Sequence, residues 1–326
     1  MENKHILIIG GTGSLGYQLC KTYLDVSTNR ITVVSRDECK HWKMGLDFNK
    51  NPRLQFVIGD IRNKEKMRQT LIRTKPNIII MAAAMKHIDR CEYESNECIE
   101  TNIRGTQNIL DCIEVEESIL RNTLEAVCFV STDKACSPVN IYGMSKAISE
   151  GLMIEKALYI KTIKFVTVRY GNVLNSRGSI IPTLHKMGKD DNVKNFFITD
   201  DRMTRFVMTL DQSVSLINHA LFKAESGDIV IPRLISCNIK DMIELFSEKY
   251  NKPIIKKGLR PGEKMLESLI NETQSLRLVN GENGYMYIKP CWNTNALNTD
   301  LKDYNSKINP LNKIELKKFL INLKLL

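Results

Sequence analysis

Short apolar runs alternate with helical patterns along the first half of the chain. Residues 5–9 (HILII) form an apolar run ending in glycines, 14–26 place apolar side chains at helical spacing, and 30–35 (RITVVS) is a second run. This start predicts a βαβ unit. Further strands are expected at 54–60 (LQFVIGD), 77–84 (NIIIMAAA), 124–131 (LEAVCFVS) and 164–173 (KFVTVRYGNV), with helices at 63–73, 97–117 and 140–158 between them. Runs so rich in Val, Ile and Phe suit strands covered on both faces, as in a parallel sheet. The predicted class is therefore α/β, a doubly wound parallel sheet of Rossmann type.

After residue 173 the alternation loosens into a helix at 211–223, a strand at 228–232 and a helix at 240–250. The expected division is a first domain over 1–172, joined by the strand near 228–232, and a smaller mixed α/β lobe from 173–227 and 233–326 that includes a C-terminal tail. No Pro/Gly/Ser linker separates them, so the cleft between the lobes is the expected ligand site.

Composition narrows the class. With 43% hydrophobic and 26% charged residues in 326, the chain has the balance of a folded globular protein with a large core. The longest apolar run, 78–85, has eight residues, against the ~20 that a membrane-spanning helix needs. The N-terminus enters a strand without a signal-peptide pattern, so no membrane association and a cytoplasmic location are expected. Nine scattered cysteines without a C-x-x-C pair suggest reduced thiols and no metal site. Cys136 is open to two readings, nucleophile or packing residue. The net charge of +10 is spread along the chain, and its densest patch, 313–324, has the pattern of an amphipathic terminal helix with a solvated lysine face.

The glycine turn after the first run carries chemistry. Gly11-x-Gly13-x-x-Gly16, with Gly10 before it, stands between a predicted strand and helix, the context that a dinucleotide-binding turn requires. Glycines admit a pyrophosphate against the backbone, and the helix N-terminus stabilises its charge. The second run ends Ser35-Arg36-Asp37, with Lys40 one turn on. Arg36 suits a ribose 2′-phosphate, which favours NADP over NAD, whereas Asp37 is the kind of residue that would hold a free 2′-hydroxyl.

A second concentration of chemistry lies at 131–146, STDKACSPVNIYGMSK. Tyr142 and Lys146, at i and i+4 on a helix, share a face, and an adjacent ammonium favours the phenolate that a tyrosine base needs. Asp133 and Lys134 add an acid and a potential base, provided burial and nearby cations keep Lys134 partly neutral.

GGTGSLG, Thr132 before Asp133, and Tyr142-x-x-x-Lys146 together resemble an extended short-chain dehydrogenase/reductase. More closely, STDKA, YGMSK, RYGNVLNSRGS, ITDDRMTRF and RPGEK resemble, in order and spacing, the soluble UDP-N-acetylglucosamine 4,6-dehydratases that invert C5, over residues 5 to about 270. The resemblance implies UDP-GlcNAc as substrate, oxidation at C4 with Tyr142 as base, removal of the C5 proton by Lys134, protonation of the departing C6 hydroxyl by Asp133, and hydride return to C6. Thr132 and Lys146 complete the implied catalytic set. Cofactor contacts are implied for Gly10, Thr12, Gly13, Ser14, Leu15, Gly16, Ser35, Arg36, Lys40, Asp60, Ile61, Ala82, Ala83, Ala84, Tyr142, Lys146, Tyr170, Asn172 and Val173. Substrate contacts are implied for Lys86, Asn172, Arg177, Ser179, Thr199, Arg205, Arg260 and Glu263.

Where dehydratases of UDP- or dTDP-glucose in the wider family carry Asp-Glu, this chain has Asp133-Lys134, and Tyr142 stands where the membrane-anchored, C5-retaining relatives have methionine. The tail at 299–320, with its DY-x-S segment, resembles capsule-type members, whereas RPGEK is closer to the flagellin-glycosylation type. Homo-oligomers from dimer to hexamer are implied. Competing readings are a UDP-sugar 4-epimerase, a UDP-glucose 4,6-dehydratase, and a catalytically silent dinucleotide-binding module that contacts RNA. The intact set of Thr132, Asp133, Lys134, Tyr142 and Lys146 argues against the last, and nucleic acid is not expected as a partner.

Overall fold

The computed structural model describes residues 2–293 and 302–326. The strands are β1 (His5–Ile9), β2 (Arg30–Ser35), β3 (Leu54–Ile58), β4 (Ile78–Met81), β5 (Ala126–Val130), β6 (Lys164–Val168), β7 (Asn172–Val173), β8 (Phe196–Ile198), β9 (Thr204–Met208), β10 (Ile229–Pro232), β11 (Ile235–Asn238), β12 (Ile254–Lys256), β13 (Ser268–Ile270), β14 (Leu278–Asn280), β15 (Tyr285–Ile288) and β16 (Tyr304–Asn305). Nine of them form one sheet in the order β3-β2-β1-β4-β5-β6-β10-β15-β14, parallel from β3 to β10 and antiparallel at β15 and β14. The chain order turns back between β1 and β4, the switch point where open α/β sheets bind ligands beyond the carboxyl ends of their strands.

Alternation along each strand divides the core. In β1, Ile6 and Ile8 join an apolar cluster on one face of the sheet, and Leu7 and Ile9 join another on the opposite face. Both faces are covered, so the strands are apolar throughout, and every residue of β4 and β5 is buried. A third cluster, including Leu174, Ile181, Phe196, Phe246, Leu316 and Leu320, forms the core beneath β8 and β12.

Several elements differ from the sequence reading. Residues 36–47 contain an unexpected helix, Glu38–Asp47, which buries only His41 and Met44 and so shows almost no apolar period. The run 164–173 is not one strand: β6 ends at Val168, and β7 pairs with β9 in a three-stranded sheet. Gly171 permits the turn, since a Cβ there would lie 2.4 Å from Phe206 Cβ. The helix expected over 97–117 passes through a π-helical stretch at Ile99–Arg104. The helix Leu210–Lys223, placed by sequence in the second lobe, packs in the first core through Val214, Leu216, Ile217, Ala220 and Leu221. Likewise 278–288 pairs with the main sheet through β15.

The terminal helix Lys313–Asn322 is capped by Asn312 and buries Leu316 and Leu320, with Lys317 and Lys318 exposed and Lys313 paired to Glu244 and Glu248. Thr299, Asp300 and Leu301 of the tail motif lie outside the described residues. Among the described residues, no helix is long and apolar enough to cross a membrane.

Candidate active site

The glycine turn leaves β1 directly at the switch point. Gly10 takes a left-handed φ of +85°, and a Cβ there would sit 2.6 Å from Ala83 Cα; at Gly16 a Cβ would sit 2.2 Å from Gly11 O. Gly13 caps the helix Ser14–Leu24 without a side-chain acceptor, so the first-turn N–H groups face the cleft. Such a terminus favours an anion.

The cleft has a volume of about 1110 Å³ and collects most of the candidates: Gly10, Thr12, Gly13, Ser14, Leu15, Gly16, Ser35, Arg36, Lys40, Ile61, Ala82, Ala83, Ala84, Lys86, Thr132, Lys134, Tyr142, Lys146, Tyr170, Asn172, Val173, Arg177, Ser179, Arg205, Arg260 and Glu263. Three do not line it. Asp60 turns to Arg62, whose Nη2 is 2.7 Å from its carboxylate. Thr199 donates to Met203 Sδ at 3.0 Å. Asp133 is wholly buried behind Lys134, with Oδ2 lacking a hydrogen-bond partner among the described residues.

The proton-moving groups come from two adjacent elements. After β5 the chain forms a short 3-10 turn, Asp133–Ala135, and Asn140 then caps the helix Ile141–Tyr159 by accepting from Gly143 N–H at 2.7 Å. A Cβ on Gly143 would lie 2.3 Å from Lys134 O, so this glycine lets the helix seat against the turn. Thr132 Oγ1 donates to Asp133 Oδ1 at 2.9 Å. Lys134 Nζ donates to Asp133 Oδ1 at 3.0 Å and to Asn172 Oδ1 at 3.3 Å, and lies 3.5 Å from Glu267 Oε1.

Burial alone would push Lys134 toward neutrality, but Asp133 and Glu267 outweigh it and hold the ammonium above the ordinary lysine range. The partly neutral lysine expected from sequence is therefore not its resting state, because two buried carboxylates face it. Burial pushes the Tyr142 phenol up to about 12, against the opposing effects of Lys134 and a hydrogen bond with Thr132. The cation acting on this phenol is thus Lys134, where the sequence reading had placed Lys146. Lys146, whose Nζ is 4.0 Å from the Phe129 ring centroid, is drawn down to about 7 by burial, with Glu150 and Cys98 favouring its charged form.

The basic candidates are largely engaged. Arg177 donates its N–H to Ser14 Oγ at 2.9 Å and its guanidinium to Thr12 O, and Lys86 Nζ donates to Arg177 O at 2.7 Å, so the 175–179 loop docks on the glycine turn. Arg205 donates to Thr204 O and Lys264 O, each at 2.8 Å. Arg260 pairs with Glu263. Ser179 Oγ is buried at the cleft wall, unpaired among the described residues. Cys136 is buried and its thiol is pushed up to about 11, which fits packing and not nucleophilicity.

Sequence reasoning missed three groups. Asn102 bonds both the N–H and the C=O of Met85, at 2.8 and 2.9 Å, and Ser145 Oγ at 2.9 Å, tying the 82–86 turn to the catalytic helix. Arg169 and Glu150 form a buried ion pair behind that helix. Glu267 faces Lys134 from 133 positions away in sequence, and no local pattern marks such a contact.

Fold and site together define an extended short-chain dehydrogenase/reductase. The chain belongs to the polysaccharide biosynthesis protein family, whose model matches residues 6–289. It is 38% identical to the inverting UDP-N-acetylglucosamine 4,6-dehydratase of Campylobacter jejuni over 87% of this chain and 82% of that protein. It is 35% identical to a protein named UDP-glucose 4-epimerase from Rickettsia felis over 98% of this chain and 96% of that one. Among solved structures, Pen from Bacillus thuringiensis superposes with a TM-score of 0.91 at 31% identity, covering 100% of this chain and 99% of that one.

Proposed function

We propose that this protein is an inverting UDP-GlcNAc 4,6-dehydratase, which forms UDP-2-acetamido-2,6-dideoxy-β-L-arabino-hexos-4-ulose. The observation that carries this reading is the Asp133–Lys134 pair, 3.0 Å apart and beside Tyr142. A 4-epimerase needs the tyrosine and the dinucleotide but has no use for that acid and base. The 38% identity to a protein of this activity supports the same reading.

The cleft fits a dinucleotide: a side chain at Gly10 or Gly16 would collide with backbone, and the uncapped helix at Gly13 faces the space where a pyrophosphate would lie. When bound, the nicotinamide supplies the hydride acceptor for C4 and the hydride donor for C6. Tyr142 Oη takes the 4-hydroxyl proton, and cations in the cleft favour the phenolate this requires. The resulting ketone acidifies C5–H.

Lys134 must be neutral to take that proton, and its neighbour provides the means. Transfer of one proton from Lys134 Nζ to Asp133 Oδ1 creates an amine and a carboxylic acid together, the two partners that elimination needs. The amine takes the C5 proton, the acid protonates the C6 hydroxyl, which leaves as water, and the pair returns to ammonium and carboxylate. Reprotonation of C5 from the opposite face gives the L-configured product.

NADP is the cofactor this reading favours. Asp37 lines the cleft, but both its oxygens are engaged by Lys40, through the helix-capping bond to Lys40 N–H and a 2.6 Å pair with Nζ, while Arg36 is exposed and 3.9 Å from its nearest carboxylate, Asp60. Arg36→Ala is expected to weaken NADP binding by about tenfold or more, consistent with loss of a charge-assisted phosphate contact, and to leave NAD binding nearly unchanged. Titration calorimetry of both nucleotides checks this; equal losses would assign Arg36 no 2′-phosphate.

The function is tested by incubation with UDP-GlcNAc in D2O and NMR of the product. A 6-deoxy-4-keto sugar carrying deuterium at C5 is expected. The second reading, a 4-epimerase, is favoured by the Rickettsia felis relative and would give UDP-GalNAc with protium at C5.

A further inference from the structure

Between β12 and β13 the chain carries Arg260, Pro261 and Glu263 into the cleft wall. The first part of this loop is open. A Cβ at Gly258 would meet no described atom within 4 Å, Leu259 is half exposed, and Arg260 Nε donates within its own loop, to Glu263 Oε1 at 2.8 Å. The second part is fastened to the catalytic turn. Lys264 Nζ donates to Cys136 O at 2.8 Å, and Arg205 holds Lys264 O from the other side at 2.8 Å. Two residues before Lys264, the carbonyl of Gly262 accepts from Asn140 Nδ2 at 2.8 Å. Gly262 has a left-handed φ of +76°, and a Cβ there would lie 3.0 Å from Asn140 Cβ and 3.0 Å from Ile88 Cγ2. A glycine suits so close a seat.

Asn140 is 2% exposed and spends both ends of its amide. Oδ1 accepts from Gly143 N–H at 2.7 Å and caps the catalytic helix, while Nδ2 serves the loop. A cap needs an acceptor alone, which Ser or Asp supplies as well. Asn adds a separate donor group on the same short side chain, and that donor leaves the helix for Gly262. Asn140 lies two residues before Tyr142, and Gly262 two residues after Arg260. One hydrogen bond therefore sets the spacing between the phenol that takes a sugar hydroxyl proton and a guanidinium of the kind that suits a diphosphate. Glu92 steadies the same junction, accepting from Ile141 N–H at 2.7 Å.

We propose that Asn140 is a positioning residue that clamps the 260–264 loop to the catalytic helix and so holds the diphosphate end of a nucleotide sugar in register with Tyr142. The inference rests on the nucleotide-sugar reading of the site, and not on which product the enzyme releases. The substrate spans the two elements, with its diphosphate toward Arg260 and its C4 hydroxyl toward Tyr142. Slack in the clamp lets C4 drift from Tyr142 Oη while the diphosphate stays bound, and a misplacement of about 1 Å can cost about a hundredfold in rate. The effect falls on turnover more than on affinity for the nucleotide.

The test compares wild type, Asn140→Ser, Gly262→Ala and the double variant on UDP-GlcNAc, with product followed by NMR and UDP binding by calorimetry. Asn140→Ser keeps a helix cap and removes the amide donor. Gly262→Ala breaks the contact from the loop side and leaves Asn140 as it is. Each single variant should lower kcat by about tenfold to a hundredfold, as misplacement does, with the UDP dissociation constant changed by less than about threefold. The double variant should lose little more than the worse single one, because both changes break one contact. Losses that multiply in the double variant, or wild-type kcat in Asn140→Ser, overturn the proposal and leave Asn140 a helix cap. A loss confined to UDP affinity, with kcat retained, overturns it too. Wild type that converts UDP-GlcNAc to UDP-GalNAc overturns the dehydratase reading alone, since the same comparison is then made on that product; wild type that does not bind UDP overturns both.

Discussion

Lys134→Met is expected to lower the rate of 4-keto-6-deoxy product formation by about a thousandfold, within the span of a lost general base. The variant should still oxidise C4. Removing the ammonium takes the hydrogen-bond donor from Asp133 Oδ1 and Asn172 Oδ1, at 3.0 and 3.3 Å, and the nearest cation from Glu267. Neither Tyr142 nor Lys146 is replaced, so the chemistry that begins at the 4-hydroxyl keeps its base. Two readouts separate the steps. Proton NMR reports the missing 6-methyl signal, and borodeuteride quenching of enzyme with substrate should still place deuterium at C4 of the recovered hexosamine. Loss of both would mean that Lys134 serves the oxidation, as its effect on the Tyr142 phenol would allow; full dehydration by the variant would remove it from the mechanism. Circular dichroism guards against misfolding, since the substitution leaves Asp133 and Glu267 as buried carboxylates without their shared cation.

What could be read from sequence and what could not follow from how local each signal is. The parallel strands were legible because burial on both faces forces continuous apolar runs, as in β4 and β5. Gly10 and Gly16 were legible because only glycine satisfies the close approaches to Ala83 and Gly11. The helix Glu38–Asp47 escaped because it lies on the surface and buries two side chains, which leaves little period to detect. The split of 164–173 escaped because Arg169 and Tyr170 carry the first strand's bonding on, to Val230 O and Asp133 N–H, and only Asn172 and Val173 cross to β9.

In the candidate site, the residues of 131–146 are close in sequence and could be read as a group. The charge state of Lys134 was legible only in part, because Asp133 beside it holds the ammonium together with Glu267, which only the fold brings in. Engagement of Arg205 and Arg260 was equally invisible: a cation within a motif looks available until its partners, backbone carbonyls in one case and Glu263 in the other, are seen.

The largest expected effect on stability comes from outside the reacting groups. Arg169 is wholly buried between β6 and Tyr170, and its guanidinium contacts both Glu150 oxygens at 3.1 and 2.5 Å, Leu269 O at 2.7 Å and Gln274 Oε1 at 2.8 Å. Ser131 Oγ donates to the same carboxylate at 2.5 Å. One side chain thus joins the end of β5, the catalytic helix and β13, the three elements that carry Thr132, Tyr142 and Glu267. Arg169→Met strands the Glu150 carboxylate in the core with a single hydroxyl, which should cost about 3–5 kcal/mol and lower Tm by roughly 10 °C. The double variant Arg169→Met/Glu150→Met removes the stranded charge and should recover much of that loss. Recovery of melting temperature without recovery of kcat would show that the ion pair serves geometry at Thr132–Lys134 more than stability, because apolar packing replaces its energy but not the hydrogen bonds to Ser131 and Leu269. A single variant that melts within about 1 °C of wild type would mean that Glu150 finds a substitute partner, and the pair would then lose its place as the brace behind the catalytic turn.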